Sequence, residues 1–315
     1  MRVAVMGAGG VGGYFGGLLA RAGHDVTLIA RGAHLEAIRA QGLRVEGVEE
    51  RFTVKAPASD DPRQVGPVDL VLYCVKTYHN ATAIPLLPPL LRKDTVVLTL
   101  QNGVSSAQEL AAVLGPGPIL TGAVYIEVTI REPGVIVQSG GPRRIVFGEP
   151  VGGPSPRARR LCDVLVQAGI RAEVAEDTRR ALWTKFMFLA SFAALTGLSR
   201  APAGKLRADP ETRELLVRAM EEVLAVGQAH GVPLEHKAVS EALVFLDSVP
   251  ASFTSSLHRD LDAGRPLELE VLSGDIWRLG REASVATPVH ELFYRCLKIA
   301  AAGSAPRSQA GPGSF

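Results

Sequence analysis

The segment VAVMGAGGVG at residues 3–12 decides the fold of the first half of this chain. Its first four residues have the length of a buried strand, and a helical pattern over Gly10–Ala22 follows a glycine-rich turn. The turn has the spacing GxGxxG and comprises Gly7, Ala8, Gly9, Gly10, Val11 and Gly12. A strand, a glycine turn and a helix in this order favour a dinucleotide-binding unit over an ordinary glycine-rich turn.

Each glycine of the motif has a physical task. Gly7 permits the tight turn, Gly9 lets a pyrophosphate approach the backbone, and Gly12 lets the helix pack closely on the strand. The phosphates would lie at the helix N-terminus, where unpaired N–H groups favour negative charge. We therefore expect the whole turn to bind a cofactor.

The residues after this turn alternate short apolar strands with helices, which is typical of a mostly parallel sheet covered by helices. The predicted strands are Val3–Met6, Val26–Ala30, Asp69–Lys76 and Thr95–Leu100. The predicted helices are Gly10–Ala22, His34–Gln41, Thr82–Leu91 and Ser105–Leu114. Between Ile119 and Phe147, the breakers Glu132-Pro133-Gly134 and Gly140-Gly141-Pro142 predict hairpins that close the sheet.

Strand patterns end soon after the middle of the chain. A helix over Pro156–Ala168 and a strand over Arg171–Ala175 come first, and residues 178–302 then have helical spacing almost throughout. The predicted fold class is an α/β Rossmann-type domain at residues 1–177, followed by an all-helical domain at residues 178–302. The Gly-, Ser- and Pro-rich stretch 303–315 is expected to be a disordered tail.

Composition excludes several classes of protein. With 315 residues, 47% of them hydrophobic, and a net charge of +2, the chain is expected to be globular, with no nucleic-acid partner. No uninterrupted apolar run reaches about eighteen residues, so we expect no membrane span. Cys74, Cys162 and Cys296 have no CxxC spacing, so neither a disulfide framework nor a metal site is expected, and a reducing cytoplasm fits best.

Arg31 indicates which dinucleotide binds. An acidic residue usually stands at the end of the second strand, where it binds the ribose 2′-hydroxyl of NAD. Here Arg31 holds that place, while Asp25 precedes the predicted strand. A guanidinium suits a 2′-phosphate, so the expected cofactor is NADP(H). A solvated arginine after a strand is the alternative.

Two further strands end in polar residues on the same edge of the predicted sheet. Lys76 follows one of them, and Gln101 and Asn102 follow the next. Because ligands of open α/β sheets bind outside the carboxyl ends of strands, these side chains are expected to point at the cofactor crevice. Taken singly, each is equally well explained as an ordinary polar strand end.

Lys185 is the candidate acid in the helical half. It stands in the apolar segment WTKFMFLA at residues 183–190, and the chain has only seven lysines against 27 arginines. A buried ammonium is unfavourable unless it is paired or used, and burial lowers the pKa of a lysine toward the range useful for proton transfer. A lysine that snorkels out of an amphipathic helix is the alternative.

The ordered set of motifs resembles the ketopantoate reductase family, the NADPH-dependent 2-dehydropantoate 2-reductases. The resemblance extends from Met1 to about residue 300. It is carried by GxGxxG, Arg31, Lys76, Gln101-Asn102-Gly103, Trp183-x-Lys185 and Ser255-Ser256-Leu257-x-x-Asp260-x-x-x-Gly264-Arg265-x-x-Glu268.

The resemblance implies roles for five residues. Lys185 would hydrogen-bond the 2-keto oxygen and protonate the developing alkoxide, with Glu268 as the nearby carboxylate that also lies by the cofactor. Ser256 would bind substrate, Asn102 would lie where cofactor and substrate meet, and Lys76 would lie near the cofactor. Without the resemblance, Glu268 would be a first-turn helix acid and Ser256 a helix cap.

The chain departs from the family pattern in the substrate pocket. The resemblance implies asparagines four and eight residues after the lysine, but Leu189 and Ala193 stand there. These positions share a helix face with Lys185, so both are expected to line the pocket. Thr196 lies near that face and could supply a hydroxyl. The substrate is thus either ketopantoate or another branched 2-keto acid.

The expected reaction is reduction of 2-dehydropantoate to pantoate in pantothenate biosynthesis, in a cleft between the domains. A different branched 2-keto acid, an opine-type dehydrogenase reaction and a non-catalytic NADP(H)-binding sensor remain as alternatives. A homodimer is compatible with the long apolar helical domain. Four other residues have simpler accounts than catalysis: Tyr125 and Glu127 alternate on a strand, His79 is in a loop, and His258 is on a polar helical face.

Overall fold

Strand β1 (Arg2–Met6) lies inside the sheet and is parallel to both of its neighbours, β2 (Asp25–Ile29) and β6 (Leu70–Tyr73). The structure is a computed structural model that describes residues 1–303. Val3–Met6 is buried because helices cover both faces of the sheet at this point. The predicted fold class, an α/β Rossmann-type domain followed by a helical domain, is confirmed.

The sheet has ten strands within residues 1–303, in the order β4-β3-β9-β8-β7-β6-β1-β2-β5, with β10 beside β9. The other strands are β3 (Leu43–Glu46), β4 (Arg51–Val54), β5 (Ala58–Ser59), β7 (Val96–Thr99), β8 (Ile119–Glu132), β9 (Val135–Gly148) and β10 (Arg171–Val174). The strands β2, β1, β6, β7 and β8 are parallel, so their carboxyl ends meet at one edge.

Two apolar cores lie on opposite faces of this sheet. Side chains alternate along β1, so Val3 and Val5 join the core that contains Phe15, whereas Ala4 and Met6 join the other. The helices of this part are α1 (Gly10–Arg21), α2 (Gly32–Gln41), α3 (Asn80–Ala83), α4 (Ser106–Leu114) and α5 (Pro156–Gln167).

The predicted helix over residues 82–91 is wrong. Its place is taken by the end of the four-residue α3 and by short 3₁₀ turns at 84–86 and 88–90, and a further 3₁₀ turn at 77–79 precedes α3. Pro85, Pro88 and Pro89 lack the N–H that an α-helix interior requires, so the helical ladder cannot continue through them. These three prolines exclude a continuous helix where apolar spacing alone predicts one.

The hairpin prediction is right at one breaker and wrong at the other. Pro133 and Gly134 connect β8 and β9, which form one long antiparallel pair. Residues 140–142 do not form a second turn, because they lie inside β9 next to a register shift opposite Glu127. The sequence analysis did not predict the short strands β3, β4 and β5.

The chain divides into two compact units between Leu182 and Trp183, inside helix α6 (Thr178–Ser199). The predicted boundary at residue 177 stays a prediction. The remaining helices are α7 (Ala203–Ala208), α8 (Pro210–Ala229), α9 (Lys237–Ser248), α10 (Ser256–Asp262), α11 (Asp275–Glu282) and α12 (Pro288–Leu297). A π-helix over Glu270–Gly274, which sequence spacing did not predict, leads directly into α11.

Helix α6 is the most apolar long helix of the described chain. Among residues 1–303 it is the one helix whose length and composition would allow it to cross a bilayer. However, 67% of its most apolar 18-residue stretch is buried within the protein. That burial identifies it as a core helix. The predicted disordered tail lies outside the described residues from position 304 onward.

Candidate functional site

The glycine turn between β1 and α1 is held against the end of β2. Gly7 has a φ of +95°, which favours glycine, and the N–H groups of Gly7 and Ala8 donate to the carbonyl of Ile29 at 3.1 and 2.9 Å. The motif therefore fixes the first turn of α1 at the carboxyl edge of the sheet.

Gly12 is tightly packed, whereas Gly9 faces open space. A Cβ on Gly12 would lie 2.2 Å from the Gly7 carbonyl oxygen, whereas a Cβ on Gly9 would find nothing within 4 Å. The N-terminus of α1 also has no side-chain cap and no acidic residue in its first turn. The open space over Gly9 and the uncapped N–H groups fit a bound pyrophosphate.

Three of the predicted cofactor residues follow parallel strands whose carboxyl ends lie at the same edge of the sheet. Arg31 follows β2, Lys76 follows β6 and Asn102 follows β7. Arg31 is exposed and caps α2 by its backbone, and within residues 1–303 its guanidinium has no carboxylate partner. Burial, and secondarily the charge of Arg31, lowers the pKa of His79. A free guanidinium at this place can bind an anionic group.

Gln101 does not have the orientation that the sequence predicted. Its side-chain amide is buried and donates to the Val75 carbonyl at 2.8 Å and to Asn80 Oδ1 at 2.7 Å. Asn80 in turn donates to Glu109 at 2.7 Å. Gln101 thus joins the ends of two strands, and the expectation that it points at the cofactor crevice is wrong.

His34 is a site residue that sequence analysis missed. The N–H of Gly134, in the β8–β9 turn, donates to His34 Nδ1 at 3.0 Å, and His34 Nε2 lies 2.8 Å from the Ala8 carbonyl oxygen. A peptide N–H only donates and a carbonyl only accepts, so Nε2 carries the proton. The imidazole therefore ties the glycine turn to the β8–β9 hairpin, whose Gly134 lies 100 positions after His34 in the sequence.

Lys185 lies in α6 between the buried residues Trp183, Phe186 and Met187, and is itself partly buried. Burial lowers the pKa of its ammonium to about 8, and the charge of Glu268 opposes that fall. An ammonium with this pKa is still mostly protonated at neutral pH but gives up its proton much more readily than an ordinary lysine. The helical unit therefore brings Lys185 and Glu268 together.

The loop between α10 and the π-helix carries Glu268, which is 7% exposed. Arg265 Nε donates to Asp260 Oδ1 at 2.8 Å, and Gly264 has a φ of +64°. Much of the motif over residues 255–268 thus builds the turn that presents the carboxylate. Glu268 precedes the π-helix rather than standing in the first turn of a helix.

Ser255, not Ser256, caps α10. Its hydroxyl accepts the N–H of His258 at 3.0 Å, while Ser256 is the first helical residue and stays partly exposed. The alternative interpretation of Ser256 as a helix cap is therefore wrong.

The positions after Lys185 differ in exposure. Leu189 is partly exposed, but Ala193 is completely buried within its helical unit. Thr196 is also fully buried, and its hydroxyl bonds Ser255 Oγ at 2.8 Å and the Phe192 carbonyl at 2.8 Å. The expectation that Thr196 could offer a hydroxyl to substrate is therefore wrong.

The structure differs from the sequence-based expectations for His258 and His79. His258 is 5% exposed rather than on a polar face, and its Nε2 lies 3.2 Å from Asp262. His79 belongs to a 3₁₀ turn rather than a loop. Asp25 opens β2 instead of preceding it, at the end far from the glycine turn. Within residues 1–303, no three His, Cys, Asp or Glu side chains are grouped as metal ligands.

Comparison with protein families gives two matches. Residues 3–152 match the model of ketopantoate reductase PanE/ApbA, and residues 177–301 match its C-terminal counterpart. A curated relative from Mesorhizobium japonicum, a 2-dehydropantoate 2-reductase, is 34% identical in an alignment 311 residues long. The alignment covers 91% of this chain and 94% of the relative.

Solved structures give similar results. A 2-dehydropantoate 2-reductase from Geobacter metallireducens has a TM-score of 0.90 at 32% identity, and the match covers 95% of this chain and 100% of that one. The ternary structure of D-mandelate dehydrogenase with NADH and anilino(oxo)acetate has a TM-score of 0.89 at 21% identity, with 95% and 98% covered. At that identity the second likeness shows only a shared fold.

Proposed function

Because the chain belongs to the ketopantoate reductase PanE/ApbA family of oxidoreductases, we propose that it uses NADPH to reduce 2-dehydropantoate (ketopantoate) to pantoate. The family resemblance predicted from the sequence is confirmed. The observation that carries the proposed reaction is the Lys185 ammonium, whose pKa burial lowers to about 8 beside the Glu268 carboxylate. The product would serve pantothenate biosynthesis.

Lys185 acts as the general acid in this proposal. A reduced nicotinamide, when bound, would supply the hydride for the keto carbon. The Lys185 ammonium hydrogen-bonds the keto oxygen, stabilises the negative charge that develops there and donates the proton that completes the hydroxyl. Lys185 is left neutral and regains a proton from water. Glu268 keeps the amine protonated between turnovers, because its charge raises the pKa of Lys185.

NADPH is the proposed cofactor because of the chemistry at the strand ends. The turn at residues 7–12 offers open space over Gly9 for a pyrophosphate, and the Arg31 guanidinium, which has no carboxylate partner among residues 1–303, suits a 2′-phosphate. NADH offers only a hydroxyl at that place. Lys76 and Asn102 follow strands at the same sheet edge, and we assign them to cofactor contacts, with Asn102 also touching substrate.

The proposed substrate pocket has fewer polar side chains than the proposed cofactor site. Ser256 is partly exposed and is the proposed substrate hydroxyl partner, while Leu189, which is also partly exposed, supplies apolar surface. Ala193 is fully buried and offers none, contrary to the expectation that it lines the pocket. The apolar surface of Leu189 favours a second candidate, in which the substrate is a branched 2-keto acid without the terminal hydroxyl of ketopantoate. Both candidates use the same proton donor.

One absorbance assay separates these functions. Purified protein with saturating NADPH is given ketopantoate, 3-methyl-2-oxobutanoate, which lacks the hydroxymethyl group, and a panel of other 2-keto acids. The main proposal expects the highest kcat/KM with ketopantoate. A preference for 3-methyl-2-oxobutanoate would replace it with the second candidate. Tight NADPH binding without NADPH oxidation by any keto acid would instead indicate a non-catalytic sensor.

A further inference from the structure

His290 is a completely buried histidine at the start of α12 that the proposed chemistry does not use. Its Nε2 lies 3.1 Å from the Ala219 carbonyl oxygen and 3.4 Å from Ser191 Oγ, and its Nδ1 lies 3.3 Å from Ser273 Oγ. A carbonyl only accepts, so Nε2 carries the proton and Nδ1 accepts from the Ser273 hydroxyl.

These contacts link α6, which carries Lys185, to the π-helix that follows Glu268. Ser191 is on α6, six residues after Lys185, and Ser273 is in the π-helix, five residues after Glu268. Ser191 and Ser273 are both fully buried. The imidazole thus forms a hydrogen-bonded connection between α6, which carries the ammonium, and the segment that follows the carboxylate.

The imidazole itself is held firmly. Glu222 of α8 accepts the N–H groups of Val289 and His290 at 2.8 and 2.9 Å, which fixes the first turn of α12. Burial also lowers the pKa of His290 to about 4, so the ring is neutral near pH 7 and adds no charge that would compete with Lys185. A neutral ring with a fixed tautomer is suited to positioning.

We propose that His290 is a positioning residue that ties the π-helix to α6 and thereby sets the separation between the Lys185 ammonium and the Glu268 carboxylate. The interaction of two charges falls with distance, so a shift of the segment carrying Glu268 weakens its hold on the ammonium. A π-helix is a local departure from regular helix, often found at functional sites, and here Ser273 anchors it. The proposal rests on the roles proposed above for Lys185 and Glu268.

The test measures the ionisation of Lys185 without turnover. Cofactor-free protein is labelled with trace acetic anhydride across pH 6–11, and mass spectrometry follows Lys185, which is partly exposed and so reachable. Ser273→Ala removes the hydroxyl that Nδ1 accepts. We expect its labelling midpoint to fall by about 0.5 pH unit, a roughly threefold change in the protonation equilibrium, because Glu268 no longer holds the ammonium as closely.

Three further variants make the result specific. Glu268→Gln lowers the midpoint directly, and adding Ser273→Ala to it should give no further fall. His290→Phe keeps a ring of similar shape without hydrogen bonds and should match Ser273→Ala; if it does not fold, Ser273→Ala carries the test. Ser199→Ala is the matched control on α6, since that hydroxyl bonds the Leu195 carbonyl of its own helix.

Several outcomes would overturn the proposal. A lower melting temperature with an unchanged Lys185 midpoint would mean that the network is only structural. A raised midpoint in Ser273→Ala, an equal fall in Ser199→Ala, or a full further fall on the Glu268→Gln background would also contradict it. Because labelling needs no substrate, the absence of keto acid reduction would reject the proposed function and leave this result standing.

Discussion

The glycine turn at residues 7–12 and the Lys185–Glu268 pair are built in different ways. The turn offers backbone N–H groups, and its geometry follows from four glycines within six residues of sequence. The pair offers two side chains 83 positions apart, brought together by the packing of helices. Cofactor binding therefore depends on local backbone shape, whereas the acid depends on desolvation and on one long-range charge. Substitutions should affect the two regions differently.

The largest expected effect is on the acid. Lys185→Ala removes the proposed proton donor, so kcat should fall about 100- to 10,000-fold while the Kd for NADPH stays unchanged. Steady-state kinetics and fluorescence titration measure the two quantities. Lys205→Ala is the control, because Lys205 is an exposed lysine of the same helical unit. Equal losses in turnover and NADPH affinity would remove the assigned role.

The next effect distinguishes two glycines of one motif. Gly12→Ala would place a Cβ 2.2 Å from the Gly7 carbonyl oxygen, so we expect a loss of about 3 kcal/mol in stability. Gly9→Ala has open space and an ordinary φ of −71°, so it should leave the melting temperature unchanged and weaken NADPH binding. Thermal unfolding and titration measure the pair. Equal melting temperatures would show that α1 can move away from the strand.

Arg31 tests the choice of cofactor. Arg31→Ala removes the partner proposed for the 2′-phosphate, so NADPH should bind about 10- to 100-fold more weakly while NADH binding hardly changes. Arg39→Ala, on the same helix, is the control because Arg39 already pairs with Glu36. An unchanged ratio of the two dissociation constants would argue for another 2′-phosphate partner.

The smallest effect concerns pH. An acid must carry its proton, so kcat/KM for reduction should be flat well below pH 8 and decline as pH rises through the Lys185 pKa of about 8. Glu268 raises that pKa, so Glu268→Gln should move the decline to lower pH. A pH profile of each enzyme measures this. A decline that moves to higher pH would mean that hydration of the ammonium, not its carboxylate, dominates.

Much of the cofactor region could be predicted from the sequence. The glycine turn, β1, α1 and the position of Arg31 depend on residues that are neighbours in the chain, so spacing alone carries the signal. Gln101 and His34 could not be predicted in the same way. Their hydrogen-bond partners lie 21 to 100 residues away, and no local spacing encodes such partners.

In the helical half, sequence patterns determined that helices form and that Lys185 stands on an apolar one, because periodicity and residue type are local properties. Only the tertiary structure decided that Glu268 lies beside the ammonium, that Thr196 turns inward, and that His290 joins α6 to a π-helix. Those outcomes depend on which surfaces pack together. A buried charge takes its pKa from that packing, which no segment of the chain specifies alone.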